Sequence, residues 1–243
     1  MKQPRVLIVI PAYNESANIG KVLDEIKHDT PDFDVLVIND CSTDNTANIV
    51  EQNNTKCITT LFNMHYAWAA QTGLKYAKSK DYDYAILMDA DGQHIASEAL
   101  KLYETAVKTD SDIVIGSRYL KNLGYHCPFF RKIGTKFFSR IIRLFTKHKI
   151  SDPLSGFQCL NKRTINYYAK CGNYPEYPDA GLVIEMLLKG YKITEMPAKM
   201  RARENGTSMH SGIFKPIKYM ITQFYACIVI VVKYAGKRKV KHA

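Results

Sequence analysis

The segment Tyr84-Ala-Ile-Leu-Met88 runs without a charged break into Asp89-Ala-Asp-Gly-Gln-His94, and a chain carrying such a segment has few folds open to it. A short continuous apolar run suits a strand covered on both faces, as in a parallel sheet, because a half-exposed strand would alternate. Open α/β sheets gather their ligands beyond the carboxyl ends of the strands, and that is where the acids stand. In an extended segment residues i, i+2 and i+4 project to one side, so Asp89, Asp91 and Gln93 would offer three hard oxygens to one point. Mg²⁺ or Mn²⁺ accepts such donors and leaves positions for water and phosphate oxygens. The competing reading is a solvated turn bent at Asp91-Gly92.

The order of elements supports the α/β assignment. Strands are expected at Arg5–Ile10, Asp34–Asn39, Cys57–Thr60, Tyr84–Met88 and Asp112–Gly116, and helices at Ala17–His28, Thr46–Gln52, Tyr66–Lys78 and Ser97–Lys108. Strands alternating with helices imply parallel βαβ units with right-handed crossovers. No low-complexity linker divides the 243 residues, which suggests one main domain over residues 1–212 and an appendage over 213–243. The six cysteines form no C-x-x-C pair and no signal peptide precedes the first strand, so reduced, structural thiols in a cytoplasmic protein are expected.

A formal charge of +11 points to an anionic partner: nucleic acid, a membrane surface or a phosphorylated substrate. Its distribution says more. Residues Phe129 to Lys149 interleave Arg131, Lys132, Lys136, Arg140, Arg143, Lys147 and Lys149 with Phe130, Ile133, Phe137, Phe138, Ile141, Leu144 and Phe145, and contain no acid. That spacing gives a helix with an apolar stripe beside a cationic face, able to lie in a membrane interface or to face a core with a solvated basic back. Tyr219 to Val232 is a nearly uncharged run between Lys215 and Lys218 on one side and the cluster Lys233 to Lys241 on the other. It is shorter than the roughly 20 residues a bilayer span needs. An interfacial helix, a docking site for a small membrane protein, or a terminal helix folded onto the core are the readings that remain.

Six motifs occur in order: Ile10-Pro-Ala-Tyr-Asn-Glu15, Val37-Ile-Asn-Asp-Cys-Ser-Thr-Asp-Asn-Thr46, Asp89-Ala-Asp-Gly-Gln-His94, Gly116-Ser-Arg-Tyr119, Asp152-Pro-Leu-Ser-Gly-Phe157 and Arg203-x-x-Gly-x-Ser208. Together, over roughly residues 4 to 212, the chain resembles family 2 glycosyltransferases of the GT-A fold, particularly the dolichyl- and polyprenyl-phosphate sugar transferases. The resemblance implies a Rossmann-like, mostly parallel sheet with flanking helices. It also implies inverting transfer of a sugar from a nucleotide-diphospho-sugar, with a UDP-sugar favoured, to a polyprenyl phosphate at the cytoplasmic membrane face.

By that resemblance Pro11, Tyr13 and Glu15 match the loop that holds the nucleoside, and Asp40 the acid that contacts base or ribose. Asp89, Asp91 and Gln93 match the triplet that binds Mg²⁺ or Mn²⁺, with Ala90 between the acids at the donor. Arg118 and Arg131 match arginines on the acceptor phosphate, with Thr135 one turn on, and two guanidinium groups suit phosphate because each donates paired hydrogen bonds. Arg203 matches a clamp on the donor diphosphate, and Asn205 to Ser208 a lid over it. The family pattern continues to a lysine where this chain has Met209, so His210 or Lys215 would have to replace it.

A phosphate monoester is largely dianionic at neutral pH and has no obligatory need of a base. Transfer to a glycan hydroxyl would need a positioned carboxylate, for which Asp152 and Asp179 are the candidates, although Asp152 before Pro153 also reads as a turn acid. A basic binding module for nucleic acid or anionic lipid is the alternative outside enzymes, and the ordered motifs argue against a nucleic-acid partner. Trp68 reads as helix packing, His94 as a neighbour of donor or metal or as a supporting residue, and Tyr167, Tyr168, Tyr174 and Tyr177 as packing or as the wall of an acceptor cleft.

Overall fold

The computed structural model describes residues 4–121, 123, 129–202 and 214–240. The first half is a run of parallel βα units: β1 (Val6–Ala12), α1 (Ile19–Asp29), β2 (Asp34–Asn39), α2 (Thr46–Gln52), β3 (Lys56–Thr59), α3 (His65–Ser79), β4 (Tyr84–Leu87), α4 (Ala96–Thr109) and β5 (Ile113–Ser117). The second half adds α5 (Phe129–Thr146), β6 (Gln158–Asn161), α6 (Lys162–Tyr168), α7 (Ala180–Leu188), β7 (Ile193–Pro197) and α8 (Phe214–Val240). The elements expected from sequence up to β5 stand where periodicity placed them, with ends moved by a residue or two; α5 stops at Thr146, and α8 runs beyond both ends of the apolar stretch Tyr219 to Val232.

The seven strands pair in the order β3-β2-β1-β4-β6-β5-β7. All neighbours are parallel except β6, which runs antiparallel to both β4 and β5. Every residue of β1 is buried, as a central strand covered on both faces requires. One apolar layer packs α3, α5, α6, α7 and α8 on one face of the sheet, and a second packs α1, α2 and α4 on the other. Backbones approach closely where α3 crosses β1: a Cβ on Gly73 would stand 2.1 Å from Val9 Cγ1.

The reversed strand has a positional consequence. Leu87 at the end of β4 pairs with Gln158 at the start of β6. The loop entering β6, residues 152–157, therefore lies at the carboxyl ends of β4 and β5, beside Asp89 and Arg118. Sequence reading assigned no element to β6, α6, α7 or β7, and so did not foresee this juxtaposition.

Candidate active site

Two loops are knit together at the carboxyl ends of β1 and β2. Asn14, in the left-handed region with φ 54°, receives Thr43 N–H on its side-chain oxygen at 2.8 Å and donates its own N–H to Ser42 Oγ. Glu15 N–H donates to Thr46 Oγ1, and Ser16 N–H to Asp44 Oδ2. Burial pushes the Asp44 carboxyl up, but hydrogen bonds from Thr46 and Ser16 outweigh it and hold the group at about 2. Pro11 is buried in β1, and Tyr13, just past its end, is exposed. Asp40 is buried; its Oδ1 accepts from Thr60 Oγ1 at 3.0 Å and from Met64 N–H at 2.8 Å. Among the described residues no partner occupies its second oxygen.

At the end of β4 the chain does not stay extended. Residues 90–92 turn, with Gly92 at φ 76° where only glycine is unstrained, and Asp91 Oδ1 accepts Gln93 N–H at 3.0 Å. Asp89, Asp91 and Gln93 therefore do not line one side of an extended strand as alternation would have them, because the Asp91-Gly92 turn ends the extended path. What holds Asp89 is His94. The ring is buried and stacks on Phe157, centroids 4.4 Å apart. Its Nδ1 accepts the Asp89 N–H at 2.9 Å and its Nε2 lies 3.7 Å from Asp89 Oδ2. That acceptor role fixes the neutral, Nε2-protonated tautomer. Burial lowers the imidazole to about 4 against the opposing charge of Asp91.

Gln93 ties to the strand-like segment beyond β7: its Nε2 donates to the Arg201 carbonyl at 3.4 Å, and Arg201 N–H donates to the Gln93 carbonyl at 2.9 Å. Among the described residues no group of three or more His, Cys, Asp or Glu is placed to hold a metal ion together. Two carboxylates beside a neutral imidazole whose Nδ1 is already engaged make an oxygen-only donor set. It fits a hard divalent cation that draws its other ligands from water and phosphate, and not a zinc cage.

The loop 152–157 binds the site together. Arg118, at the end of β5, meets the fully buried Asp152 in a two-pronged pair, Nε to Oδ2 at 2.7 Å and Nη2 to Oδ1 at 2.8 Å, and its backbone N–H adds a third bond at 2.9 Å. Nη2 also reaches the Leu154 carbonyl. Glu195 on β7 braces the arrangement by accepting from Ser151 N–H, Ser151 Oγ and Asp152 N–H. Ser155 Oγ donates to the Gly116 carbonyl, and Phe157 backs His94. Arg118 and Asp152, expected at different tasks, are thus one ion pair.

Asp179 stands just ahead of α7. Its Oδ2 accepts the Tyr219 hydroxyl at 2.6 Å and Gln223 Nε2 at 3.1 Å, both from α8. Burial raises the carboxyl to about 6, offset in part by Tyr219 and Arg118. The buried phenols of Tyr66 and Tyr174 each feel the charges of Asp89 and Asp179, and burial first, then those charges, holds both far above the usual tyrosine range. Tyr66, Phe157, Glu195, Tyr219 and Gln223 were not read as site residues from sequence. One signal was available: a glutamine four residues after a tyrosine inside an otherwise apolar helix.

On α5, Thr135, Phe138 and Ile142 are buried, while Ile133, Phe137, Leu144 and Phe145 are exposed among the basic residues. The side chain of Arg131 lies outside the described residues, as do Arg203, Asn205 to Ser208, Met209, His210 and the side chain of Lys215. On α8 the pattern is inverted: Gln223 and Cys227 face inward, and Ile221, Phe224, Tyr225, Ile228, Val229 and Val232 face out. The Phe137 and Phe224 rings, 5.9 Å apart, join the two exposed faces. Among the described residues no helix is long and apolar enough to cross a membrane.

Comparison with known proteins identifies what the chain is similar to. A family model described as Glycosyl transferase family 2 matches residues 7–166. The undecaprenyl-phosphate mannosyltransferase of Micrococcus luteus is 30% identical over 220 residues, 86% of this chain and 88% of that protein. The dolichol-phosphate mannosyltransferase of Pyrococcus furiosus is 28% identical over 89% of this chain, which spans 62% of that relative's length. Among solved structures, glucosyl-3-phosphoglycerate synthase from Mycobacterium tuberculosis, in complex with Mn²⁺, UDP and glucosyl-3-phosphoglycerate, superposes with a TM-score of 0.65 at 16% identity, over 96% of this chain and 80% of that one.

Proposed function

The chain belongs to glycosyl transferase family 2, and from that premise we propose that it moves a sugar from a nucleotide-diphospho-sugar to a polyprenyl phosphate at the cytoplasmic face of a membrane. The observation that carries the reading is the meeting of Asp89, Asp91 and His94 with the Arg118–Asp152 pair at the carboxyl ends of β4 and β5. In this reading two carboxylates able to take a hard cation stand near a guanidinium, both charges acting on His94. Relatives named for lipid-phosphate acceptors support the acceptor class.

In this reading the open oxygen of Asp40 accepts from ribose or base, with Pro11, Tyr13 and Glu15 along the same side, Ala90 beneath the donor and Arg203 on its diphosphate. Asp89 and Asp91, with Gln93 beside them, hold Mg²⁺ or Mn²⁺, which when bound offsets the charge developing on the departing diphosphate. His94, neutral and fixed by stacking, holds the Asp89 backbone in place. Arg118, anchored by Asp152, lends positive charge to the side where an acceptor phosphate enters, and Arg131 at the head of α5 supplies a second guanidinium. The exposed apolar residues of α5 and α8, ringed by lysines and arginines, seat the enzyme on an anionic bilayer.

The test incubates purified protein with Mg²⁺ or Mn²⁺, polyprenyl phosphate and, in separate arms, labelled UDP- and GDP-sugars, and counts label in the organic phase, with Asp91→Ala as control. A UDP-sugar product that disappears in the control is the expected result. Label transferred only to a soluble glycan would replace the lipid acceptor with a hydroxyl. Nucleotide binding without any product would point to a missing membrane partner.

A further inference from the structure

Asp179 is held from outside its own element. It precedes α7, yet both donors to its carboxyl, Tyr219 and Gln223, stand one turn apart on α8 and converge on the same oxygen, Oδ2. Among the described residues Oδ1 has no partner. Gln223 is fully buried, and its Oε1 finds no donor there. Such an arrangement costs free energy and calls for a return. An inward-facing glutamine on a helix whose outward residues are apolar reverses the usual pattern, so packing alone does not explain it.

We propose that Tyr219 and Gln223 are positioning residues, which clamp Oδ2 of Asp179 from α8 so that Oδ1 is presented to the acceptor. The inference rests on the lipid-phosphate reading above. The groups facing this carboxyl are Arg118 and Asp152 from the β5 side and Tyr219 from α8, while Tyr174 and Tyr66 share its field with Asp89. The carboxyl titrates at about 6, close to the second ionisation of a phosphate monoester, so the two groups can share one proton. The proton on the monoester oxygen passes to Oδ1. The freed P–O⁻ forms its bond to the anomeric carbon, while the bond from that carbon to the nucleoside diphosphate breaks and the leaving group takes the electron pair. Below neutrality, where much of the acceptor keeps its proton, this transfer matters most. At pH well above 7 the acceptor is already dianionic and the step is dispensable.

The experiment compares wild type with Tyr219→Phe and Gln223→Met, which keep the packing and remove one donor each. Two quantities are read: kcat against pH with polyprenyl phosphate, and the titration of Asp179 by ¹³C NMR of labelled aspartate carboxyls, its resonance assigned with Asp179→Asn. The expected result is a carboxyl midpoint that moves up in both variants, because each lost bond favoured the carboxylate. With it kcat falls about five- to tenfold at pH 6 and converges with wild type near pH 8, while KM for the donor is unchanged. A fall equal at every pH, or an Asp179 midpoint that does not move, overturns the proposal. The titration needs no acceptor, so an error in the acceptor reading shows separately, as a wild-type enzyme that labels no lipid.

Discussion

Removing Asp152 asks whether Arg118 is held by the fold alone or held for a substrate. Asp152 is fully buried and takes three hydrogen bonds from Arg118, whose side chain is itself only 11% exposed. Replacing both members of a buried pair by apolar groups is often nearly neutral, but removing one strands the other charge and costs about 3–5 kcal/mol. In a chain of this size each kcal/mol moves Tm by roughly 2–4 °C, so Asp152→Ala lowers Tm by about 6–20 °C. Glu195 still accepts Ser151 N–H and Oγ, so the loop keeps its course and the loss is that of a charge partner. Arg118→Met combined with Asp152→Leu removes both charges and restores most of the Tm, with a coupling of about 2–3 kcal/mol in the double-mutant cycle. Thermal and urea melts of the singles and the double measure this directly, and transfer assays on the same samples separate the roles. A double variant with recovered Tm and no transfer makes Arg118 functional as well as structural. A single variant melting within about 2 °C of wild type, or a double no more stable than the single, refutes the reasoning.

Two buried groups pull the pH dependence of stability in opposite directions: unfolding takes up a proton at His94 and releases one at Asp179 between pH 4 and 6. Asp179→Asn therefore leaves stability rising with pH across that window by about 1.4 kcal/mol per unit, and His94→Phe leaves it falling by a similar amount; urea melts in a metal-free buffer giving slopes of the same sign would contradict this. Gly73→Ala drives a Cβ into Val9 and is expected to cost about 1–3 kcal/mol, read as a lower urea midpoint, whereas Gly73→Ala paired with Val9→Ala recovers part of it. Phe224→Ser with Ile228→Ser removes two exposed apolar side chains and is expected to weaken co-sedimentation with anionic vesicles by tenfold or more at unchanged Tm; equal sedimentation would move the membrane seat elsewhere.

What could be read from sequence follows from the range of the forces involved. β1, β2 and the helices that follow them are set by local periodicity and by a chain that alternates regularly, so Asp34–Asn39 and Thr46–Gln52 were legible to the residue. The acids at 89 and 91 were legible as standing just past a strand, but the choice between an extended path and the turn at Gly92 was not, because both are compatible with Asp-x-Asp-Gly. The bond between Arg118 and Asp152 depends on β6 entering the sheet in reverse, which no local pattern announces. Tyr219 and Gln223 reach Asp179 across forty residues of chain. Their meaning appears only once α8 has been laid against α7.

The reversed strand also sets an order of events on the ribosome. Synthesis delivers β1, β2, β3 and β4 first, and domains assemble as their parts emerge. The nascent chain thus holds the Asp89 and Asp91 carboxylates long before it holds Phe157 to back His94 or Asp152 to anchor Arg118. Until residues 158–161 emerge, one edge of β4 lacks its neighbour and presents bare peptide groups that invite pairing with other chains. A product stopped short of β6 would carry the motif residues and no working pocket, and its open edge would mark it for chaperones and proteases. Entry of β6 closes the edge of β4 and brings Asp152 to Arg118 in one event, before β7 and α8 complete the rest.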